Sequence, residues 1–348
     1  MVYTDSECKT IDSTTSLLKA YSALSYLVLL ASLFSGKIVG LELFGVLQLA
    51  YFSLAEHSFL NIYLSPLVSF KLFNGLNLQL FSETSYVTVI LKDMGVASNF
   101  LNNWNIMLVV FYAYLLAAGG CYFFFGLRKR PLLRKYSIIA LKQGMTTFVL
   151  FNAFNIAFSS GAHFKYATTS DSLYGAGSFL SVLTLMAMVV LVLSLQLSEM
   201  SSFGEFKRKF KDCEGQFYVQ LTVLYRLALG LYCAAKSDYD YGSLVIQAIC
   251  ILFVLYVIVN LPFRDVWQNY RAVFVHLLTA YILLVANYYR AMKSNTPVSV
   301  KARIYGPAVL ELVLIGFCIV GSAAVLVREC YGMYQNYVVS KSKIKPKS

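Results

Sequence analysis

The 348-residue chain is too apolar and too poor in charge to be a soluble protein. Hydrophobic residues make up 58% of it and charged residues 13%, against about 45–50% and about 25% in soluble domains. The net charge of +12 could suit a nucleic-acid partner. The basic residues cluster in short segments between long apolar runs, however, which is typical of membrane topology and of contact with anionic lipid headgroups. Soluble domains are therefore excluded, and no nucleic-acid partner is expected.

Nine apolar stretches are long enough to cross a membrane, because a bilayer core of about 30 Å needs ~20 apolar residues in a helix. We predict an all-α, polytopic transmembrane bundle of nine spans within 17–327. The predicted spans are Leu17–Ser35, Ile38–Leu60, Asn105–Leu127, Ser137–Ser159, Ser178–Ser198, Gln216–Ala235, Ser243–Leu261, Ala272–Tyr289 and Ala308–Val327.

The distribution of lysine and arginine predicts the orientation of these spans. If the first span runs inward, the cytosolic segments hold 17 of these residues and the outer side holds 10, counting Lys19 at the outer end of the first span, in keeping with the positive-inside rule. This places the N-terminal tail 1–16 outside, an outer cap at 61–104, and a basic cytosolic tail at 328–348. The acidic start of the chain fits neither a secretory signal nor a mitochondrial presequence, so we expect the first span to be retained.

Motifs for catalysis and metal binding are not found in the sequence. It has no Gly-rich phosphate loop, no His-Glu-x-x-His and no Gly-x-Ser-x-Gly, and its seven cysteines lack metal-ligand spacing. We therefore predict no enzymatic activity, no cofactor and no metal site. The composition predicts an integral membrane protein of the plasma membrane or an endomembrane.

Four ionisable residues inside the predicted spans are the main candidates for function. Arg226 lies in the middle of the sixth span and needs a carboxylate or a water-filled cavity. Glu56, at matching depth on the second span, is the first candidate partner. Glu42 and Lys142, each near the inner end of its span, are a second candidate pair. These residues either line a polar path or form buried pairs that hold helices together, with Lys142 snorkelling to the inner interface.

Polar and small residues on other spans suggest helix contacts. Asn152, Asn155 and Ser159 share one face of the fourth span, where amides either bridge helices or line a hydrated cavity. The small-residue patches Gly119–Gly120 and Gly316–Ala324 predict close helix packing.

One short motif, together with the helix order, resembles a known family. The outside N-terminus, the second span with the outer stretch Pro66–Leu78, and the late turn Asn260–Arg264 followed by Gln268-Asn269-Tyr270 resemble the membrane region of the TRP-like proteins of protists and fungi, relatives of the polycystin-type channels. This resemblance implies a cation channel or a membrane-transport role. The sequence shows no acidic selectivity loop of the kind that such a channel would use.

Two functions follow from these features as alternatives. The first is a channel- or transporter-like protein, cation-conducting in one version, with a polar path among the second, fourth and sixth spans. The second is a non-conducting subunit or scaffold that forms an oligomer or packs against partner membrane proteins; a receptor is a weaker third alternative. Whether Glu42, Glu56 and Arg226 line a hydrated cavity or a dry seam distinguishes the first two. Anionic lipids on the basic cytosolic face are expected partners in either case.

Overall fold

The computed structural model describes residues 20, 23–28, 30–31, 42–43, 45–50, 97–167, 169, 173–194, 213–235, 241–293 and 301–343. Within 97–343 these residues form seven long α-helices. The helices are α1 (Phe100–Leu127), α2 (Pro131–Tyr166), α3 (Tyr174–Ser194), α4 (Cys213–Ala235), α5 (Tyr241–Asn260), α6 (Val266–Lys293) and α7 (Lys301–Lys343). Shorter helical stretches at 23–28 and 45–50 fall inside the predicted first and second spans.

The predicted helical fold class is confirmed for the described residues. In the described part of the chain, four helical segments are long and apolar enough to cross a membrane: Leu108–Leu127, Phe217–Ala235, Val266–Tyr288 and Val313–Gly332. Two shorter apolar segments lie in α3 and α5. The protein therefore has the character of a multi-pass membrane protein. The full count of nine spans and their orientation remain predictions.

Several helices, α6 and α7 among them, extend beyond the apolar runs from which they were predicted. Helix α6 begins at Val266, about two turns before the predicted start of its span at Ala272. Helix α7 continues to Lys343, through most of the segment predicted as a tail. The predicted outer cap lies outside the described residues apart from 97–104, and so does the N-terminal tail.

An amide clamp, in which an asparagine side chain pairs with the main chain of a residue six positions earlier, fixes the chain where it enters α1. The N-cap residue Asn99 accepts a hydrogen bond from the main-chain N–H of Leu101 at 3.0 Å. One turn later, the Asn103 side chain accepts from the N–H of Ala97 and donates to the Ala97 carbonyl, both at 2.8 Å. Because the side-chain amide pairs with both polar groups of one residue, the approach to the helix is held in a single geometry.

The same arrangement occurs where the chain enters α6. Asp265 is the N-cap and accepts from the N–H of Trp267 at 3.1 Å. Asn269 accepts from the N–H of Phe263 at 2.9 Å and donates to its carbonyl at 2.8 Å. This clamp lies in the motif Asn260–Arg264 with Gln268-Asn269-Tyr270, so the polar residues of that motif hold the turn between α5 and α6.

Helices α2 and α4 approach each other closely at two glycines. A Cβ added at Gly230 would lie 2.4 Å from the carbonyl oxygen of Phe154 and 2.8 Å from the Cβ of Ala157. A Cβ added at Gly161 would lie 2.6 Å from the Cβ of Ala234. Backbones this close require residues without side chains, as at other small-residue contacts between membrane helices.

The small-residue contacts predicted from the sequence lie elsewhere. A Cβ added at Gly119, Gly120 or Gly321 would meet no atom within 4 Å. Among the described residues, the predicted close packing is therefore not found at these three positions, because open space lies where each glycine would carry a side chain.

Candidate functional site

A buried carboxylate, Glu42, lies at the centre of a cluster drawn from three helical segments. Glu42 is 1% exposed, and both of its oxygens have partners. Oε2 accepts from Nη2 of Arg271 on α6 in a buried ion pair. Oε1 accepts a hydrogen bond of 2.6 Å from the hydroxyl of Tyr218 on α4. The carboxylate therefore joins the second-span segment to both α4 and α6.

Tyr218 extends the cluster to a histidine. Its hydroxyl oxygen lies 3.0 Å from Nε2 of His276, and both residues are buried. Since the hydroxyl proton is directed to Glu42, the second contact requires His276 to carry its proton on Nε2 and to donate it to the Tyr218 oxygen. A continuous hydrogen-bonded chain thus runs from Arg271 through Glu42 and Tyr218 to His276.

Arg226 contacts the same segment from the side. Its Nη2 donates to the main-chain carbonyl of Glu42 at 3.3 Å. The guanidinium lies directly against Gly45, where an added Cβ would be 2.6 Å from Cζ. Gly45 is thus the residue that leaves room for the arginine. Tyr218, Thr222 and Arg226 follow one another at intervals of four, so they share one face of α4.

Aromatic side chains surround the polar cluster. Phe253 on α5 lies edge-on to the His276 ring, at 4.5 Å between centroids, and stacks on Tyr225 at 5.0 Å. Phe263 lies edge-on to Tyr218 at 5.2 Å. These rings are close to fully buried. The described part of the site is therefore a packed seam, in which electrostatic interactions are stronger than in water.

The structure brings together two of the predicted site residues, Glu42 and Arg226. It pairs Glu42 with Arg271, whereas the predicted partner Lys142 lies on α2 with a side chain outside the described part. Glu56 also lies outside it, so the proposed Arg226–Glu56 pair stays a prediction. Asn152 and Asn155 are both 1% exposed.

The two asparagines show no link to the Glu42 cluster. Asn152 donates to the Phe148 carbonyl one turn earlier on its own helix, at 3.1 Å. Within the described part of the chain, neither amide atom of Asn155 has a hydrogen-bond partner. Among the described residues, the polar contacts around Glu42 join the second-span segment to α4 and α6, and a path among the second, fourth and sixth spans stays a prediction.

Sequence reasoning missed Arg271 and Tyr218. Arg271 was assigned to a cytosolic loop because it comes just before the apolar run of the eighth span. Depth in the membrane could have suggested Arg271 as the partner of Glu42, since both residues lie at the inner ends of their predicted spans. Tyr218 is one of 26 tyrosines, so composition did not single it out. Its spacing of eight residues from Arg226, which places both on one helix face, could have suggested it.

Glu311 is a second buried carboxylate. The sequence places it one turn inside the ninth span and suggests an interfacial position, and in the structure the residue is 0% exposed. Neither carboxylate oxygen has a hydrogen-bond partner among the described residues. The side chain therefore packs inside the protein, and its depth in the membrane stays a prediction.

A separate polar contact joins the ends of α1, α2 and α3. His163, which is 0% exposed, has Nε2 at 3.0 Å from the Ser178 hydroxyl and accepts on Nδ1 from the Phe100 N–H at 3.4 Å. Gly177 lies against His163 and Asn99. We interpret this group as a connection between helices.

No group of three or more His, Cys, Asp or Glu residues in the described ranges could hold a metal ion. Comparison of the chain with protein-family models, curated proteins and solved structures finds no match. The resemblance to TRP-like proteins therefore stays a prediction from the sequence. Together, the fold and the site define a class of protein: a helical, multi-pass membrane protein with a buried ionic centre.

Proposed function

We propose that the chain is a channel- or transporter-like membrane protein of nine spans, in which the Glu42 cluster is the charged centre that rearranges during transport. The observation that supports this proposal most is the chain of contacts Arg271–Glu42–Tyr218–His276. It joins ionisable groups of three helical segments by side-chain bonds alone. Side-chain bonds of this kind can be broken and re-formed when helices move, without loss of helical structure.

The energetic cost of the cluster supports a role beyond packing. Charged groups at the centre of a bilayer cost about 2.5–3.5 kcal/mol each on insertion scales and usually mark pathways or relays. Glu42 and Arg271 stand at the inner ends of their predicted spans, so their cost comes mainly from burial within the protein. A buried ion pair contributes little net stability, and apolar residues of similar volume often stabilise a protein equally well or better. Helix packing alone therefore does not require these charges.

The charges of the described residues around Glu42 indicate which kind of ion the proposed transporter would move. Two guanidinium groups, of Arg226 and Arg271, flank the single carboxylate of Glu42. If no further carboxylate joins the centre, its net positive charge favours an anion, or exchange of a proton along the Tyr218–His276 link, over a cation path; pairing of Arg226 with Glu56 would make the centre neutral. Cation conduction, which the TRP-like resemblance implies, thus has the weakest support from this site.

Transport is tested with purified protein in liposomes, followed by fluorescent reporters of protons, chloride, sodium and potassium. Tyr218→Phe removes the hydroxyl that links Glu42 to His276, and we expect it to reduce the flux about tenfold or more, the loss corresponding to one hydrogen bond to a charged group. Tyr225→Phe is the matched control. Tyr225 is a buried tyrosine of the same helix, but its hydroxyl donates to Cys250 at 3.0 Å.

The second candidate function is a non-conducting scaffold or subunit. The packed seam around Glu42 favours it, because a dry seam is what a scaffold predicts. The outward face of α1 favours it too, since Leu116, Phe123 and Leu127 are 77%, 71% and 84% exposed beside Gly119 and Gly120. Absence of flux for every ion tested, together with stoichiometric co-purification of partner proteins, would replace the transport proposal with this one.

The proposed nine-span topology predicts that positions 166 and 207 lie on opposite sides of the membrane. Tyr166→Cys is expected to react with an impermeant thiol reagent from outside in intact cells, and Lys207→Cys only after permeabilisation. Cys8 and Cys213, which lie outside the predicted spans, and the exposed Cys121 and Cys330 are replaced by serine in both variants to lower the background. Labelling of both positions from the same side would contradict the orientation.

A further inference from the structure

A cavity of about 680 Å³ lies between α6 and α7. Its size is in the range of sites for small organic ligands, about 300–1,000 Å³. The walls are mostly apolar or aromatic, with two arginines. The lining residues are Trp267, Tyr270, Arg271, Phe274, Phe317, Cys318, Gly321, Ala324, Val325 and Arg328.

The polar and apolar parts of the cavity are separated along its length. On α7 the lining runs from Phe317 to Arg328, about 16 Å at 1.5 Å per residue. Arg328 marks the charged end, where its guanidinium is 60% exposed and lies 3.5 Å from Asp265 at the start of α6. Phe274 and Phe317 line the cavity at its other, apolar end.

The charged end has the composition of a membrane interface. Trp267 and Tyr270 are 62% and 66% exposed, and such rings favour the level of the lipid headgroups. Arg271, buried nearby, uses Nη2 for Glu42, while Nε and Nη1 have no hydrogen-bond partner among the described residues. The mouth thus combines two arginines, one of them beside the Asp265 carboxylate, with interfacial aromatic rings and an apolar groove behind them.

We propose that this cavity binds one anionic phospholipid of the surrounding membrane. The phosphate lies at Arg328 near the entrance, and one acyl chain extends along Gly321 and Ala324 towards Phe317. Charge complementarity selects the anionic headgroup, and the apolar length selects a lipid over a free phosphate ion. Because Arg271 lines the cavity and pairs with Glu42, the bound lipid lies next to the ionic centre. The proposal does not depend on whether the protein conducts ions.

Two substitutions test the site from its two ends. Arg328→Gln removes the exposed charge, and we expect it to weaken binding about tenfold, as for the loss of one charge-assisted hydrogen bond. Gly321→Leu places a side chain in the cavity, where an added Cβ meets no atom within 4 Å, and should abolish binding by occupying the path of the acyl chain. Neither residue belongs to the Glu42 cluster, so both variants are expected to fold.

The matched controls lie on α1, away from the cavity. Arg128→Gln removes an exposed arginine that stacks over Phe124, with its Cζ 4.5 Å from the ring centroid. Gly120→Leu adds a side chain at another glycine with open space around it. Both controls are expected to bind lipid as the unaltered protein does, and thermal unfolding without added lipid checks that all four variants are folded.

Binding is measured on the full chain in detergent, by native mass spectrometry and by titration with phosphatidylglycerol or phosphatidylcholine in mixed micelles. The proposal predicts a preference for phosphatidylglycerol that Arg328→Gln and Gly321→Leu lose and the controls retain. Equal binding of the two lipids, equal loss in the controls, or competition by glycerol phosphate as strong as that by the lipid would overturn it. So would a change of oligomeric state in Gly321→Leu, since a second protein chain would then be the occupant.

Discussion

Arg271→Leu is expected to lower the free energy of unfolding by about 3–5 kcal/mol, because it leaves the buried Glu42 carboxylate without its ionic partner. Glu42→Leu should cost a similar amount, since it leaves the Arg271 guanidinium unpaired. Snorkelling and water defects reduce such costs in a membrane. The test therefore rests on whether the two losses depend on each other, and not on the size of either loss. Thermal unfolding of the purified protein in detergent measures each variant.

The double variant Glu42→Leu with Arg271→Leu distinguishes an ion pair from two independent losses. When both charges are replaced by apolar groups, neither is left uncompensated, and the double variant should recover part of the stability lost in each single one. Arg128→Leu, which removes an exposed arginine at the end of α1, is the control and should change the unfolding temperature little. Purely additive losses would contradict the pairing of Glu42 with Arg271.

Gly230→Ala should destabilise the protein by about 1–3 kcal/mol, although alanine is the better helix former. The added methyl group would lie 2.4 Å from the Phe154 carbonyl oxygen and 3.0 Å from the main-chain nitrogen of Phe158. Both are backbone atoms, so α2 and α4 must move apart to relieve the contact. The measurement is again the thermal unfolding midpoint.

Gly120→Ala is the control for this substitution. It makes the same chemical change inside a helix, at a position where the added methyl group meets nothing within 4 Å. Helix propensity alone should then stabilise the protein by about 0.5–1 kcal/mol. If both alanine variants were stabilised alike, the close approach of α2 and α4 at Gly230 would be incorrect.

The helical architecture was predictable because it depends on properties that are local in sequence. An apolar run of about 20 residues has few alternatives to a membrane helix, since every main-chain polar group must be satisfied within the segment. The ends of the helices were less predictable. Helix α6 begins at an Asp265 cap and continues through Arg271 before its apolar run starts, and hydropathy detects only the later part.

The contacts of the site could not be read from the sequence in the same way. Tyr218 and Glu42 are 176 residues apart in the chain, and Arg271 and Glu42 are 229 apart. Composition indicates that buried charges need partners, and this identified Glu42 and Arg226 as candidates. Choosing the partner depends on which helices are neighbours and how each is rotated about its axis, and no local pattern carries that information.

The clamp between Asn269 and Phe263 has a consequence for the rearrangement that the proposed transport function requires. It makes the turn before α6 and the first turns of that helix one rigid body, which contacts α4 through the ring of Phe263 and the second-span segment through Arg271. A rotation of α6 that separates Arg271 from Glu42 therefore also displaces Phe263 from Tyr218. Because both contacts are lost or kept together, the helix should switch cooperatively between discrete positions, as packed interfaces do, with few intermediates between them.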